Sequence, residues 1–134
     1  EAREVGLCVL RSPDGAERTR VSLFRDNDRF FRRSALQIDV AESSVGSDVY
    51  ARTPEIGPLA LEDGEPLRLR VFVDRSIVEV FANGRQCLTV RVHPEREDSS
   101  GVALFARGGA ANLASLEAWR MQSVWPELKD RETD

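Results

Sequence analysis

A chain of 134 residues is long enough for one domain with a core of its own, and an apolar share of 41% sets it apart from disordered chains. The net charge of −4 is modest, and the basic residues, of which Lys129 is the single lysine, are scattered among acids, so no basic stripe marks a nucleic-acid site. No apolar run approaches the roughly 20 residues that a membrane-spanning helix needs, which leaves the membrane out as a partner.

The chain opens on Glu1-Ala2-Arg3, with neither an initiator Met nor a signal-peptide pattern, and reads as a piece of something longer. Glu4–Arg11 has the alternation of a strand, with Val5, Leu7 and Val9 on one side and Cys8 and Leu10 on the other. Ser12-Pro13-Asp14-Gly15 is a strong turn signal, because Pro presets φ and Asp and Gly favour tight reversals. Thr19–Phe24 is the returning strand, with Val21 and Leu23 on one face. A polar turn is expected at Arg25-Asp26-Asn27-Asp28, followed by weaker strand signals over residues 29–33 and 35–40. Residues 41–58, rich in Ser, Gly and Pro, read as a long surface loop. Residues 59–61 suit a short strand before a turn at Glu62-Asp63-Gly64-Glu65.

The next stretch is the most informative. Leu67, Leu69, Val71 and Val73 recur with period two, as on a half-buried strand. A two-residue loop at Arg75-Ser76 then pairs Val73 with Val78, Val71 with Val80 and Leu69 with Ala82. That set is wholly apolar and lies on one face, so the pattern fixes the register; a slip of one residue would put Glu79 in the core row. A second turn at Ala82-Asn83-Gly84, with Gly84 left-handed, suits a three-residue hairpin loop and carries Leu88, Val90 and Val92 to the same face. The predicted interior is Leu69, Val71, Val73, Val78, Val80, Leu88 and Val90. The opposite face carries Arg70, Phe72, Ile77, Glu79, Phe81, Cys87 and Arg91, a mixture of aromatics, Arg and acid of the kind protein contacts prefer; the plainer reading is an outer surface partly covered by loops. Beyond the meander, residues 94–101 read as a charged loop, 102–107 as a strand, Gly108-Gly109 as a turn, 112–124 as a long final strand, and 129–134 as a frayed tail. No segment has a helical period. Many short strands with frequent turn signals predict an all-β fold, a two-sheet antiparallel sandwich over residues 1–128.

Candidate chemistry is sparse. Cys8 and Cys87 lie in predicted strands and are expected as two buried free thiols, pairing only if those strands are neighbours. One histidine and no Cys-x-x-Cys spacing give no metal site, and no cofactor motif is present. His93 before Pro94 reads as structural, Ser99-Ser100-Gly101 as a turn without the strand–turn–helix setting of a nucleophile, and Gly108-Gly109 as too little for a phosphate loop. Trp119 and Trp125 are assigned to core or interface in preference to sugar stacking.

Several of these segments, in order and spacing, resemble the C-terminal β-sandwich module of glycoside hydrolase family 32, the invertase, levanase and inulinase family. The most specific is Phe72-Val73-Asp74-Arg75-Ser76-Ile77-Val78-Glu79-Val80-Phe81 with Asn83-Gly84. Glu4-Val5-Gly6-Leu7 with its Pro-Asp-Gly turn, Leu88-Thr89-Val90-Arg91-Val92-His93-Pro94, Gly101-Val102-Ala103-Leu104-Phe105-Ala106 and Leu116-Glu117-Ala118-Trp119-Arg120-Met121 with Trp125 complete the likeness. The resemblance implies a concanavalin- or lectin-like jelly roll beside a five-bladed catalytic propeller in a retaining β-fructosidase. Family modules carry a further strand before the position of Glu4, so the resemblance also implies a missing edge strand and an exposed neighbour.

Glycosidases need two carboxyl groups, roughly 5 Å apart in retaining enzymes. Asp74 and Glu79 are the tempting pair, but Asp74 is expected to accept from the amides of Arg75 and Ser76, and Glu79 to pair with Arg70 or Arg91. The family's Asn-Asp-Pro-Asn-Gly, Arg-Asp-Pro and Glu-Cys motifs do not occur; Arg25-Asp26 continues to Asn27. No residue is therefore assigned a catalytic role. Asp74, Ser76, Glu79, Asn83 and Gly84 are assigned to the turn motif, and Arg70, Phe72 and Phe81 to a contact surface. The expected function is an accessory module that stabilises the propeller, with a role in homo-oligomer formation; the alternative is a fructan-binding module that uses exposed aromatics.

Overall fold

The computed structural model describes residues 1–25, 34–50 and 52–123. Within them the chain forms eight strands: β1 (Glu4–Arg11), β2 (Thr19–Phe24), β3 (Ala35–Asp39), β4 (Glu55–Pro58), β5 (Leu69–Asp74), β6 (Ile77–Ala82), β7 (Gln86–Arg91) and β8 (Gly101–Arg107). All pairs are antiparallel, in a five-stranded sheet of order β4-β3-β2-β1-β8 and a three-stranded sheet of order β5-β6-β7. Alternate residues of the two sheets meet between them. Val21, Leu23, Leu36 and Ile38 from the larger sheet and Val78 and Val80 from the smaller are fully buried and form one cluster with Val9, Val90 and Val92. The result is the all-β sandwich that the periodicity predicts.

The β5–β6 register and the inward face of β7 are as expected, but the second turn lies one residue later than expected, because Ala82 is still paired. Val73 lies opposite Val78, Val71 opposite Val80 and Leu69 opposite Ala82, and the next hairpin sets Leu88 against Val80 and Val90 against Val78. Arg75 has φ 50°, the left-handed conformation that suits a two-residue hairpin. In the second hairpin Ala82 still pairs with Gln86, so the loop is Asn83-Gly84-Arg85, with Asn83 at φ 50° and Gly84 at φ 65°. Gly6, in the middle strand of β2-β1-β8, is needed for close approach: an ideal Cβ there would lie 1.9 Å from the Val21 carbonyl oxygen.

Several expectations are corrected. Val73 is 44% exposed; it lies on β5, which is an edge of its sheet among the described residues. The short strand expected at 59–61 is instead β4, inside the stretch read as a loop; Leu59 is buried just beyond it, its amide donating to the Ser34 carbonyl (3.0 Å). Among the described residues, 112–122 join no strand and are exposed, Trp119 to 75%, so this tryptophan is not in the core. Alternation alone does not make a strand; it needs a neighbour whose backbone accepts it. β1 is flanked by β2 and β8; among the described residues the larger sheet ends at β4 and β8 and the smaller at β5 and β7. Cys8 is buried and Cys87 exposed, both free, in different sheets. The strand expected over 29–33, most of the polar turn at 25–28, Val124, Trp125 and the tail 129–134 lie outside the described residues.

Candidate interaction surface

The outer face of the smaller sheet follows from its register. With Leu69, Val71, Val78, Val80, Leu88 and Val90 turned inward, the intervening residues must point out. Across β5 and β6, Arg70 faces Phe81, Phe72 faces Glu79 and Asp74 faces Ile77; across β6 and β7, Phe81 faces Cys87, Glu79 faces Thr89 and Ile77 faces Arg91. The two phenylalanines are diagonal neighbours and meet edge to face, with centroids 6.0 Å apart and planes at 87°. Phe72 is 45% and Phe81 37% exposed, although both stand on well-paired strands. The three residues expected at a contact surface, Arg70, Phe72 and Phe81, are thus brought together on one face.

The turn residues divide. Glu79 accepts from Thr89 Oγ1 at 3.3 Å, not from an arginine, because Thr89 lies directly opposite whereas Arg70 and Arg91 lie opposite Phe81 and Ile77. Asp74 is exposed at the end of β5 and accepts no hydrogen bond from the Arg75 or Ser76 amide. The Ser76 carbonyl accepts from the Val92 amide (2.7 Å), which ties the first turn to the end of β7. Asn83 does more than form a turn. Its Oδ1 accepts from the Arg68 amide (2.8 Å), and its Nδ2 donates to Glu65 Oε1 and to the Pro66 carbonyl (2.9 Å each). Arg85 donates to the same Glu65 oxygen at 2.6 Å, and Arg85, the Glu62 amide and Asn83 together hold the Glu65 carboxyl down at about 2. This network welds the loop before β5 to the turn after β6.

A second polar centre escaped the sequence reading. Glu17, at the end of the first hairpin turn, is fully buried. Its Oε1 accepts from the amides of Val45 and Glu95 (2.8 Å each), and its Oε2 from the Arg96 amide (3.1 Å) and Ser99 Oγ (2.5 Å). Burial pushes this carboxyl up, but the four donors outweigh burial and hold it below the usual carboxylate range. Nothing in local sequence signals this, because its donors lie 28 to 82 residues away. Among the described residues no group of His, Cys, Asp or Glu is arranged to hold a metal ion. Asp74 and Glu79 lie diagonally on the outer face of the smaller sheet, whereas Glu17 is buried.

Comparison with known proteins agrees with this architecture. Residues 1–120 match the family described as "Glycosyl hydrolases family 32 C terminal". The chain is 36% identical over 128 residues to the β-fructofuranosidase insoluble isoenzyme 7 of Oryza sativa subsp. indica, covering 89% of this chain and 21% of that protein. It is 37% identical over 99 residues to the levanase of Bacillus subtilis (strain 168), covering 70% and 14% respectively. Its fold is similar to part of the crystal structure of exo-inulinase from Aspergillus awamori, with a TM-score of 0.66 and 28% identity over 81% of this chain and 20% of that one. This chain therefore spans about a fifth of the length of the rice relative.

Proposed function

We infer the role of this chain from one premise: it belongs to the family of C-terminal domains of family 32 glycosyl hydrolases. In our reading it is a non-catalytic accessory sandwich, residues 1–128 with a tail over 129–134. It supports a five-bladed propeller that lies N-terminal to it and carries the catalytic residues. The parent is a retaining β-fructosidase acting on sucrose, levan or inulin, and the accessory module needs no cofactor. The observation that carries this reading is the preformed outer face of the smaller sheet. Two large aromatic side chains stay half exposed on rigid strands beside Arg70, and burying such anchors at the centre of a contact is what stabilises interfaces. The same face serves a homo-oligomer if two copies meet there.

A second reading, fructan binding, draws support elsewhere. Phe72 and Phe81 stand perpendicular and offer no flat platform, but Tyr50 is 88% and Trp119 75% exposed, and a planar ring of either kind can stack on a sugar. The test is to express the parent with and without this chain, and with Phe72→Ala/Phe81→Ala in it. Loss of the chain, or of both rings, should lower the thermal midpoint of the catalytic domain, while the isolated chain releases no fructose from sucrose, levan or inulin. A catalytic domain equally stable alone, with levan or inulin binding to the isolated chain that Tyr50→Ala or Trp119→Ala abolishes, would replace support with carbohydrate binding. Fructose release lost in Asp74→Asn or Glu79→Gln would overturn the non-catalytic assignment.

A further inference from the structure

The loop over residues 93–100 is the crossover between the two sheets, joining β7 to β8. Among the described residues, every hydrogen bond or ion pair that ties this loop to another part of the chain ends on one of two carboxylates in the turn between β1 and β2. Glu17 takes the amides of Glu95 and Arg96 and the hydroxyl of Ser99. Asp14 Oδ2 takes Arg96 Nη1 at 2.7 Å. The loop's remaining bonds are internal: Ser99 N–H to the Arg96 carbonyl, Ser100 N–H to the Asp98 carbonyl, and Arg96 to Asp98. The turn itself is rigid. Ser12 Oγ donates to Asp14 Oδ1 (2.6 Å), and the Ala16 and Glu17 amides donate to Asp14 Oδ1 and Ser12 Oγ (3.0 Å each).

The charged surroundings decide how this arrangement responds to protons. On its own turn Glu17 has Asp14 and Arg18 as neighbours, and Arg11 reaches back to the Ser12 and Pro13 carbonyls. From the loop after β3 comes Glu42, paired with Arg18 (2.6 Å). From the crossover come Glu95, whose carboxylate lies close to Gly46, Arg96, which is engaged by Asp14 and Asp98, and the exposed Glu97. No cation bonds to Glu17; four neutral donors hold its charge. A protonated Glu17 becomes a weaker acceptor for the three amides, and only Ser99 Oγ among its four partners can accept the new O–H, so the proton weakens more than one tie of the clasp.

We propose that the β1–β2 turn is an acid-releasable clasp: protonation of Glu17 frees the 93–100 crossover from its Glu17 contacts, leaving the Arg96–Asp14 pair as the remaining tie, while both sheets remain folded. The core strands depend on protonation less: the apolar cluster between the sheets carries no carboxylate, and the Arg20–Asp39 pair joining β2 to β3 is backed by a full backbone ladder.

The test is residue-resolved amide exchange on the chain between pH 7 and pH 3, read as protection factors, with circular dichroism following the sheets. Protection at Glu95, Arg96 and Val45 should fall as pH drops, at a pH above that at which the amides of β2, β3 and β6 open. Ser99→Ala removes one donor from the ionised Glu17 and should move the midpoint of this loss upward by about one pH unit, the equivalent of one charge-assisted hydrogen bond. Glu17→Gln should leave the crossover amides unprotected already at pH 7, and in Glu17→Ala formate should restore their protection by occupying the vacated donors. Two outcomes would overturn the clasp: loss of protection at Glu95 and Arg96 only together with the core strands, or a midpoint unmoved in Ser99→Ala. The Ser99 variant keeps the proposal decidable even if neither Glu17 variant folds.

Discussion

At the scale of single residues, two valines seven positions apart in one hairpin can have opposite energetic weight. Val80 is fully exposed to the core and not to water, whereas Val73, on the same face of the same hairpin, is 44% exposed. Val80→Ala should cost about 2 kcal/mol, from lost burial and an incompletely collapsed cavity. Val73→Ala should cost under about 0.5 kcal/mol. Urea denaturation of both variants checks this, and equal losses would mean that β5 is covered. The period-two pattern assigned both residues to the interior correctly as to face. It carried no information on whether a strand lies beyond β5. Glu79 and Asp74 show a related limit: the pattern places them on the outer face, but the partner of Glu79 is set by the residue directly opposite, Thr89, which only the pairing of β6 with β7 supplies.

At the scale of elements, hairpins are legible and isolated strands less so. Both turns of the β5–β6–β7 meander, the β1–β2 turn and the register of six cross-strand pairs in β5–β6 follow from alternation and turn chemistry over a few residues. β4 was hidden because its four residues, with Gly57 and Pro58 among them, carry no alternation; it exists because β3 offers it an edge. Leu10, at φ 47°, sits where the β1–β8 register shifts between Cys8 and Arg11, a bulge with no sequence mark. Gly6 gives the element-scale prediction. Any Cβ at this position collides with the backbone of β2, so Gly6→Ala must prise β1 from β2. Its cost should reach the upper part of the overpacking range, about 3 kcal/mol, read as a lowered denaturation midpoint with an unchanged m-value. A loss below about 0.5 kcal/mol would show that the two strands part easily.

At the scale of the whole molecule, carboxylates bind distant segments. Asp39 is pushed up by burial, but the Ala41 amide and Arg20 outweigh this and hold it below its ordinary range. Glu17, Asp14, Asp98 and Glu65 are depressed as well. A carboxyl depressed in the folded state contributes stability that is fully present above its unfolded pKa, near 4, and is lost as pH falls through its folded value. The thermal midpoint should therefore be flat between about pH 6 and pH 8 and decline below about pH 4.5. A midpoint that rises on acidification would contradict the folded-state assignments of these groups.

The sequence by itself determined the all-β class, the meander register, the two faces of the smaller sheet and the family likeness. Each of these rests on alternation and turn residues, interactions that act over fewer than about ten positions. Only the fold in space fixes which of the described strands are edges, that residues 112–122 join no strand among the described residues, and that Glu17 is the acceptor for two loops. Those features depend on where backbone donors and apolar neighbours arrive in space. A carboxylate whose ligands lie up to 82 positions along the chain leaves no periodic trace around itself.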